Sequence, residues 1–168
     1  MAVHEHKQRA KQAVGCFVIT VSDTRDESSD QSGQLIKLLL SEHGHTIAGY
    51  RIVRDEPAQL KPLLEEILGD EIVEAILLNG GTGIAPRDTT YEVVSSLLEK
   101  KLEGFGELFR YLSYQEIGSA AIMSRAAAGV SRGKIVVSLP GSKAAVELAM
   151  LRLILPELGH MVSQVQGR

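Results

Sequence analysis

The spacing of apolar positions changes repeatedly along the chain. Gly15 to Val21 is short, β-branched and apolar on both faces, which predicts an interior parallel strand. Thr46 to Val53 predicts a second strand, and a third is centred on Ala75 to Leu78 within the apolar run Ile72 to Leu78. Two further short strands are expected at Ala126 to Val130 and Lys134 to Leu139. Between them the apolar period becomes helical. Leu35, Ile36, Leu38, Leu39 and Leu40 form the buried side of a helix ending near Gly44. Pro57 opens another, running to about Leu68, with Leu60, Leu63, Leu64 and Ile67 on one face. Val93, Val94, Leu97 and Leu98 mark a helix within Thr89 to Glu99, and Ala144, Ala145, Leu148, Leu151 and Leu155 mark one from Lys143 to about Leu155. Leu102 to Met123 is helical in pattern, with Gly104 and Gly106 as interruptions.

Strands alternating with amphipathic helices predict a three-layer α/β/α domain around a largely parallel central sheet. No linker, repeat or low-complexity tract divides the chain, so residues 15–168 read as a single domain behind a polar arm, residues 1–14, that is open to disorder. Right-handed crossovers put successive loops on one rim. Ser22 to Arg25, Asp55, Asn79 to Asp88, and Pro140 to Ser142 each follow the carboxyl end of an expected strand, where ligands of open α/β sheets bind.

The richest of these loops reads Asn79-Gly80-Gly81-Thr82-Gly83-Ile84-Ala85-Pro86-Arg87-Asp88. Its glycines let main-chain N–H groups converge on a phosphate or carboxylate, and the following helix adds its positive end. Asp88 is unfavourable beside a bound phosphate unless a cation bridges them or the acid has a chemical task. The same residues are compatible with an ordinary turn, since Thr89 with Glu92 fits a capping box. Neither the P-loop nor the dinucleotide fingerprint is present, because no Gly-Lys-Ser/Thr occurs and Pro86 stands where the third glycine of the fingerprint belongs. Asp55 and Asp88, from neighbouring loops, suit Mg²⁺ shared with phosphate oxygens, and hence phosphoryl or nucleotidyl transfer. Asp55 is also compatible with an N-cap and Asp23 with an Asx-turn, and Ser142 is expected to cap the helix that follows. Arg87 and Lys143 are candidate anion neighbours or solvated surface charges. The glycines of Glu103-Gly104-Phe105-Gly106-Glu107 suggest a close backbone approach.

Composition narrows the class. At 168 residues, 44% hydrophobic, 23% charged and a formal net charge of −3, the chain suits one buried domain and lacks the basic surplus of a nucleic-acid binder. The single cysteine, Cys16, is expected as a core thiol in a reducing compartment. No apolar run reaches the roughly 20 residues of a membrane span, and Met1 to Val14 lacks the apolar core of a secretion signal. The expectation is a cytoplasmic protein binding neither nucleic acid nor membrane. His4, His6, His43, His45 and His160 lack metal-site spacing.

Taken together, Ser22-Asp23-Thr24-Arg25, Asp30-x-Ser-Gly33, Asp55-Glu56, Gly80-Gly81-Thr82-Gly83, Pro86-Arg87-Asp88-x-Thr90, Glu103-Gly104-Phe105-Gly106-Glu107, Ser124-Arg125-Ala126 and Pro140-Gly141-Ser142 resemble the MoaB/MogA family of molybdenum cofactor biosynthesis proteins, in its compact MoaB-like branch. The likeness extends from Gly15 to about Leu158. It implies that molybdopterin and ATP are substrates, that Mg²⁺ assists, and that molybdopterin is adenylylated. It casts Asp55 and Asp88 as catalytic and metal-holding residues. Substrate contacts would come from Ser22, Asp23, Thr24, Arg25, Gly80, Gly81, Thr82, Gly83, Arg87, Thr90, Glu107, Pro140, Gly141 and Ser142. The implied assembly is a homotrimer or homohexamer, with other cofactor-biosynthesis proteins as partners. A non-catalytic molybdopterin-binding or assembly protein is the alternative. Tyr91 departs from the family, many of whose members carry proline there.

Overall fold

In a computed structural model, which describes residues 10–167, the elements run β1 (Gly15–Val21), α1 (Gln31–Glu42), β2 (Thr46–Val53), α2 (Pro57–Leu68), β3 (Ala75–Asn79), α3 (Thr90–Leu97), β4 (Lys100–Lys101), α4 (Glu103–Ile117), a 3₁₀ turn (Gly118–Met123), β5 (Ala127–Ser131), β6 (Lys134–Leu139), α5 (Lys143–Ala149), a π-turn (Met150–Ile154) and α6 (Leu155–Val165). One sheet is ordered β2-β1-β3-β6-β5-β4. The first four strands in that order are parallel. β5 is antiparallel to β6, and β4 to β5. The mostly parallel three-layer architecture is therefore the one the sequence predicts.

The alternation of side chains explains the layers. Cys16, Val18, Ala75, Leu77, Ile135 and Val137 face α1, α4, α5 and α6, where Ile36, Leu40, Phe109, Val146 and Leu158 complete one core. Ile19, Val21, Ile76, Leu78 and Val136 point the other way, onto Leu60, Leu64, Val93 and Val94 of α2 and α3. Each fully buried Leu or Ile removes roughly 2 kcal/mol worth of apolar surface from water. Burial pushes the Cys16 thiol up to about 12, with nearby Glu74 adding to the rise, so it stays protonated and unreactive.

Two local expectations are corrected, and one connection is new. β5 joins β6 by a tight turn, with Arg132 and Gly133 both at positive φ (47° and 73°), as a two-residue hairpin requires. Gly104 and Gly106 do not interrupt α4; they lie in its first turns, and Gly118, at φ 66°, ends it. The segment from Lys143 does not stop at Leu155 but runs through the π-turn to Val165. Val146, Met150, Ile154, Leu158 and Val162 are its buried stripe.

Of the arm, residues 1–9, with His4 and His6, lie outside the described residues. In the remainder, the Lys11 N–H donates to Ser163 Oγ at 3.0 Å, Lys11 Nζ pairs with Glu74 and Val14 is fully buried. Burial alone would raise the Glu74 pKa, but hydrogen bonds from Lys11, the Gly15 N–H and Gln166 leave it below its ordinary value.

Candidate functional site

At the carboxyl ends of β1, β3 and β6 the loops enclose a cavity of about 460 Å³. Val21, Ser22, Thr24 and Arg25 line one side, Gly80 to Gly83 and Asp88 a second, and Pro140 to Ser142 a third. Phe109, Ser113, Ile117, Ala121 and Met123, from α4 and the 3₁₀ turn, form an apolar wall.

The glycine loop is shaped by close approach. Gly80 and Gly81 take φ of 100° and 68°. A Cβ on Gly80 would sit 2.1 Å from the Val21 carbonyl oxygen, and one on Gly81 would sit 2.1 Å from Thr90 Oγ1 and 2.4 Å from Asp55 Oδ2. The Gly80 N–H donates to the Leu139 carbonyl at 2.9 Å, and the Thr90 N–H to the Gly81 carbonyl at 3.1 Å. Behind the loop, Arg125 Nε donates to the carbonyls of Thr82 (3.3 Å) and Gly83 (3.0 Å). Its Nη2 donates to the carbonyls of Gly83 (2.6 Å) and Asp88 (3.2 Å), and Nη1 pairs with Glu92. That hydrogen bond holds the Glu92 carboxyl below the usual range. Among the described residues, the N–H groups of Gly81, Thr82, Gly83 and Ile84, and of Gly141 and Ser142, donate to no main-chain acceptor. Two sets of uncommitted main-chain donors on one cavity suit an anion.

The two aspartates have different surroundings. Asp88 lines the cavity, and its Oδ2 accepts the Ala85 N–H at 2.9 Å. Asp55 does not line it. Only 7% exposed, its carboxylate accepts Thr89 Oγ1 at 2.7 Å and the Thr89 N–H at 3.2 Å. It therefore caps α3 across the sheet rim, and the capping box that Thr89 and Glu92 could have made is not formed: Thr89 makes no side-chain cap bond, and Glu92 is turned to Arg125. Asp88 caps nothing, because its carboxylate folds back onto its own loop.

Outside the cavity wall, Arg87 Nε donates to Asp23 Oδ2 at 2.8 Å and Arg87 Nη2 to Glu56 Oε1 at 3.4 Å. Asp23 Oδ1 also accepts the Asp55 N–H at 3.2 Å. The hydrogen bond from Arg87 is the main reason the Asp23 carboxyl is held below its ordinary value. Arg87 is thus a clamp across three loops rather than a neighbour of the cavity. Thr90 is fully buried under Gly81, and Glu107 is exposed on α4; neither lines the cavity. Lys143 is exposed at the start of α5.

The third loop is pinned more simply. Ser142 caps α5 as expected, accepting the Ala145 N–H at 3.3 Å. The Gly141 carbonyl accepts from Ser32 Oγ at 2.8 Å and Arg25 Nη1 at 3.1 Å. Ser22 Oγ accepts the Arg25 N–H at 3.1 Å, which turns Arg25 toward that carbonyl. Below lies Asp30, fully buried. It caps α1 through Gly33 N–H at 2.9 Å, and accepts from Thr20 Oγ1 at 2.6 Å and Tyr50 OH at 2.5 Å. Burial and the bond to Asp30 raise the Tyr50 pKa.

Sequence reasoning missed the apolar wall and the work of Arg125. Phe109 and Ser113 share a face of α4, so helical spacing carried that signal. Arg125 stands in the Ser124-Arg125-Ala126 motif, but its work left no trace there, because it acts on carbonyls some forty residues away in sequence.

A family model described as a probable molybdopterin binding domain matches residues 17–160. The chain belongs to this family of molybdenum cofactor biosynthesis proteins. Within it, the MoaB members are the near relatives. Molybdenum cofactor biosynthesis protein B of Bacillus subtilis (strain 168) is 55% identical over 167 residues, covering 99% of this chain and 98% of its own. The protein of the same name from Halalkalibacterium halodurans is 52% identical over 166 residues, with 98% of each chain covered. A crystal structure of molybdenum cofactor biosynthesis protein B superposes with a TM-score of 0.91 at 49% identity, covering 95% of this chain and 99% of that one. The MoaB match includes every loop of the cavity. No helix among the described residues is long and apolar enough to cross a membrane.

Proposed function

We propose that the cavity binds molybdopterin by its terminal phosphate and that the chain adenylylates it with ATP. The observation carrying this reading is the presence of uncommitted N–H groups of Gly81, Thr82 and Gly83 and of Gly141 and Ser142 around one cavity that also holds a carboxylate and an apolar wall. The donors receive phosphate oxygens, Arg25 adds positive charge, and Phe109, Ile117 and Met123 offer apolar surface to a flat pterin. In the reaction, an oxygen of the molybdopterin phosphate attacks the α-phosphorus of ATP. The bond from that phosphorus to its bridging oxygen breaks, and pyrophosphate leaves. The loops orient the attacking phosphate and offset its charge, which is most of what such a transfer asks of a protein.

Among the described residues, no group of three or more His, Cys, Asp or Glu side chains can hold a metal by itself. Mg²⁺ is content with one carboxylate plus phosphate oxygens and water, and Asp88 supplies that carboxylate. When bound, the ion neutralises charge on the phosphates. Asp55 has a positioning role, since Thr89 occupies its carboxylate.

That occupation favours a second reading, a molybdopterin-binding protein without turnover. Incubating the pure protein with molybdopterin, ATP and Mg²⁺ separates the two. Adenylylated pterin and pyrophosphate are expected. Tight pterin binding with no product overturns the catalytic reading and leaves the second. On the family resemblance we also propose a trimer or hexamer as the assembly, for which exposed Leu108, Tyr111 and Tyr114 on α4 supply apolar surface. Analytical ultracentrifugation reads it directly.

A further inference from the structure

Each peptide unit points its C=O and its N–H in opposite directions, because the unit is planar and trans. Fixing a carbonyl therefore fixes the N–H of the next residue. In the glycine loop three successive carbonyls are held from one side: Gly81 by the Thr90 N–H, Thr82 by Arg125 Nε, and Gly83 by Arg125 Nε and Nη2. The paired N–H groups belong to Thr82, Gly83 and Ile84, and none of them donates to a main-chain acceptor.

The sidedness is independent of that argument. Gly80 to Gly83 line the 460 Å³ cavity, as does Ser124, yet Arg125 does not. Arg125 instead lines a separate cavity of about 180 Å³ between α3, α4 and β5. It is braced there by Glu92 and by the Tyr91 ring, whose centroid lies 5.0 Å from the guanidinium carbon. The loop is thus sandwiched between the proposed ligand cavity and Arg125.

We infer that Arg125 is a positioning residue. It gathers the carbonyls of Thr82, Gly83 and Asp88 behind the loop and so turns the N–H groups of Gly83 and Ile84 toward a phosphate. This role rests on the anion-binding reading above, but not on adenylyl transfer. Only a planar fork with several donors serves three carbonyls and a carboxylate at once; a lysine brings the charge but not the fork. Tyr91, the departure from the family's proline, supports the fork from the outside through its ring face.

The test uses inorganic pyrophosphate as probe, read by backbone amide NMR on the wild-type chain, Arg125→Lys and Arg125→Gln. Thermal unfolding of each variant sets a working temperature at which all are folded. In the wild type, the amides of Thr82, Gly83 and Ile84 are expected to shift on titration. Both variants should weaken binding roughly 10- to 100-fold, the scale set by charged hydrogen bonds. Arg125→Lys holding its affinity within about twofold means that charge alone matters, and overturns the positioning role. Unresponsive wild-type amides overturn it too. If Arg125→Gln does not fold, Arg125→Lys alone decides. Pyrophosphate shifts at these amides without any adenylylated pterin in the turnover assay would sink the enzyme reading and leave the role of Arg125 standing. A purely structural Arg125 would lower the unfolding temperature and leave pyrophosphate affinity unchanged.

Discussion

Two loops supply the main-chain donors of the cavity, and they are held differently. Pro140 to Ser142 has a support of its own, the cap that Ser142 places on the helix it opens, while its distant bonds, from Ser32 and Arg25, both fall on the one Gly141 carbonyl. Gly80 to Gly83 have no such cap and are held at successive residues by distant groups, by Asp55 under Thr89, by Arg125 behind Thr82 and Gly83, and by the Val21 backbone against Gly80. A loop with its own cap tolerates change one bond at a time. A remotely held loop concentrates its order in a few side chains, so single substitutions there should be felt more strongly.

The sharpest challenge to this contrast is Gly80→Ala. The new Cβ meets a main-chain oxygen of β1 that has nowhere to go, at a φ of 100°; a loss of about 3 kcal/mol or more is expected in urea unfolding. Asp88→Asn should lower turnover by at least roughly a hundredfold, the scale of losing charge stabilisation at a reacting centre, while pterin affinity in equilibrium titration changes little. Asp55→Ala leaves the half-buried Thr89 N–H and hydroxyl without their acceptor and should cost about 2 kcal/mol. Ser142→Ala, in the loop with its own cap, should cost about 1 kcal/mol, the ordinary loss of a cap. If Ser142→Ala proves as damaging as Asp55→Ala, the contrast fails.

The smallest effect concerns acid. Asp23 has a folded pKa below its ordinary 3.8, chiefly through Arg87. The stabilisation from the ionised carboxylate is therefore present above that ordinary value and lost as pH falls through the folded one. Asp23→Asn should unfold like the wild type's acid-weakened form and show a flatter stability profile below pH 3.8 than the wild type. Because the pair is exposed, added salt should narrow the difference.

The same contrast governs what the sequence disclosed. Strand and helix positions were legible because apolar periodicity reports burial directly, as in Cys16 and Val18 against Phe17 and Ile19. The Ser142 cap was legible because a cap is a local event. The hairpin of β5 and β6 was not anticipated, although Arg132-Gly133 carried the turn. Asp55 reads as a metal-holding acid or as an N-cap of the helix beside it, whereas it caps α3, since a carboxylate at a sheet rim can serve any helix beginning there. Arg125 stood within a recognisable motif, but nothing in the spacing of residues says which carbonyls a guanidinium will reach. Asp30 likewise looked like one member of a motif, while in the fold it joins β1, α1 and β2.

The π-turn at Met150 to Ile154 has a geometric consequence for the whole rear layer. Val146, Met150, Ile154, Leu158 and Val162 recur at every fourth position, and four residues of a regular α-helix overshoot one revolution by about 40°. Over several such steps a regular helix would carry the stripe around its flank and out into water. The wider turn, with its i→i+5 bonding, unwinds that accumulated rotation midway, so the stripe from Lys143 to Val165 stays in line with the sheet. A chain that regularised this turn at the same length would have to surrender either Val146 or Val162 to solvent.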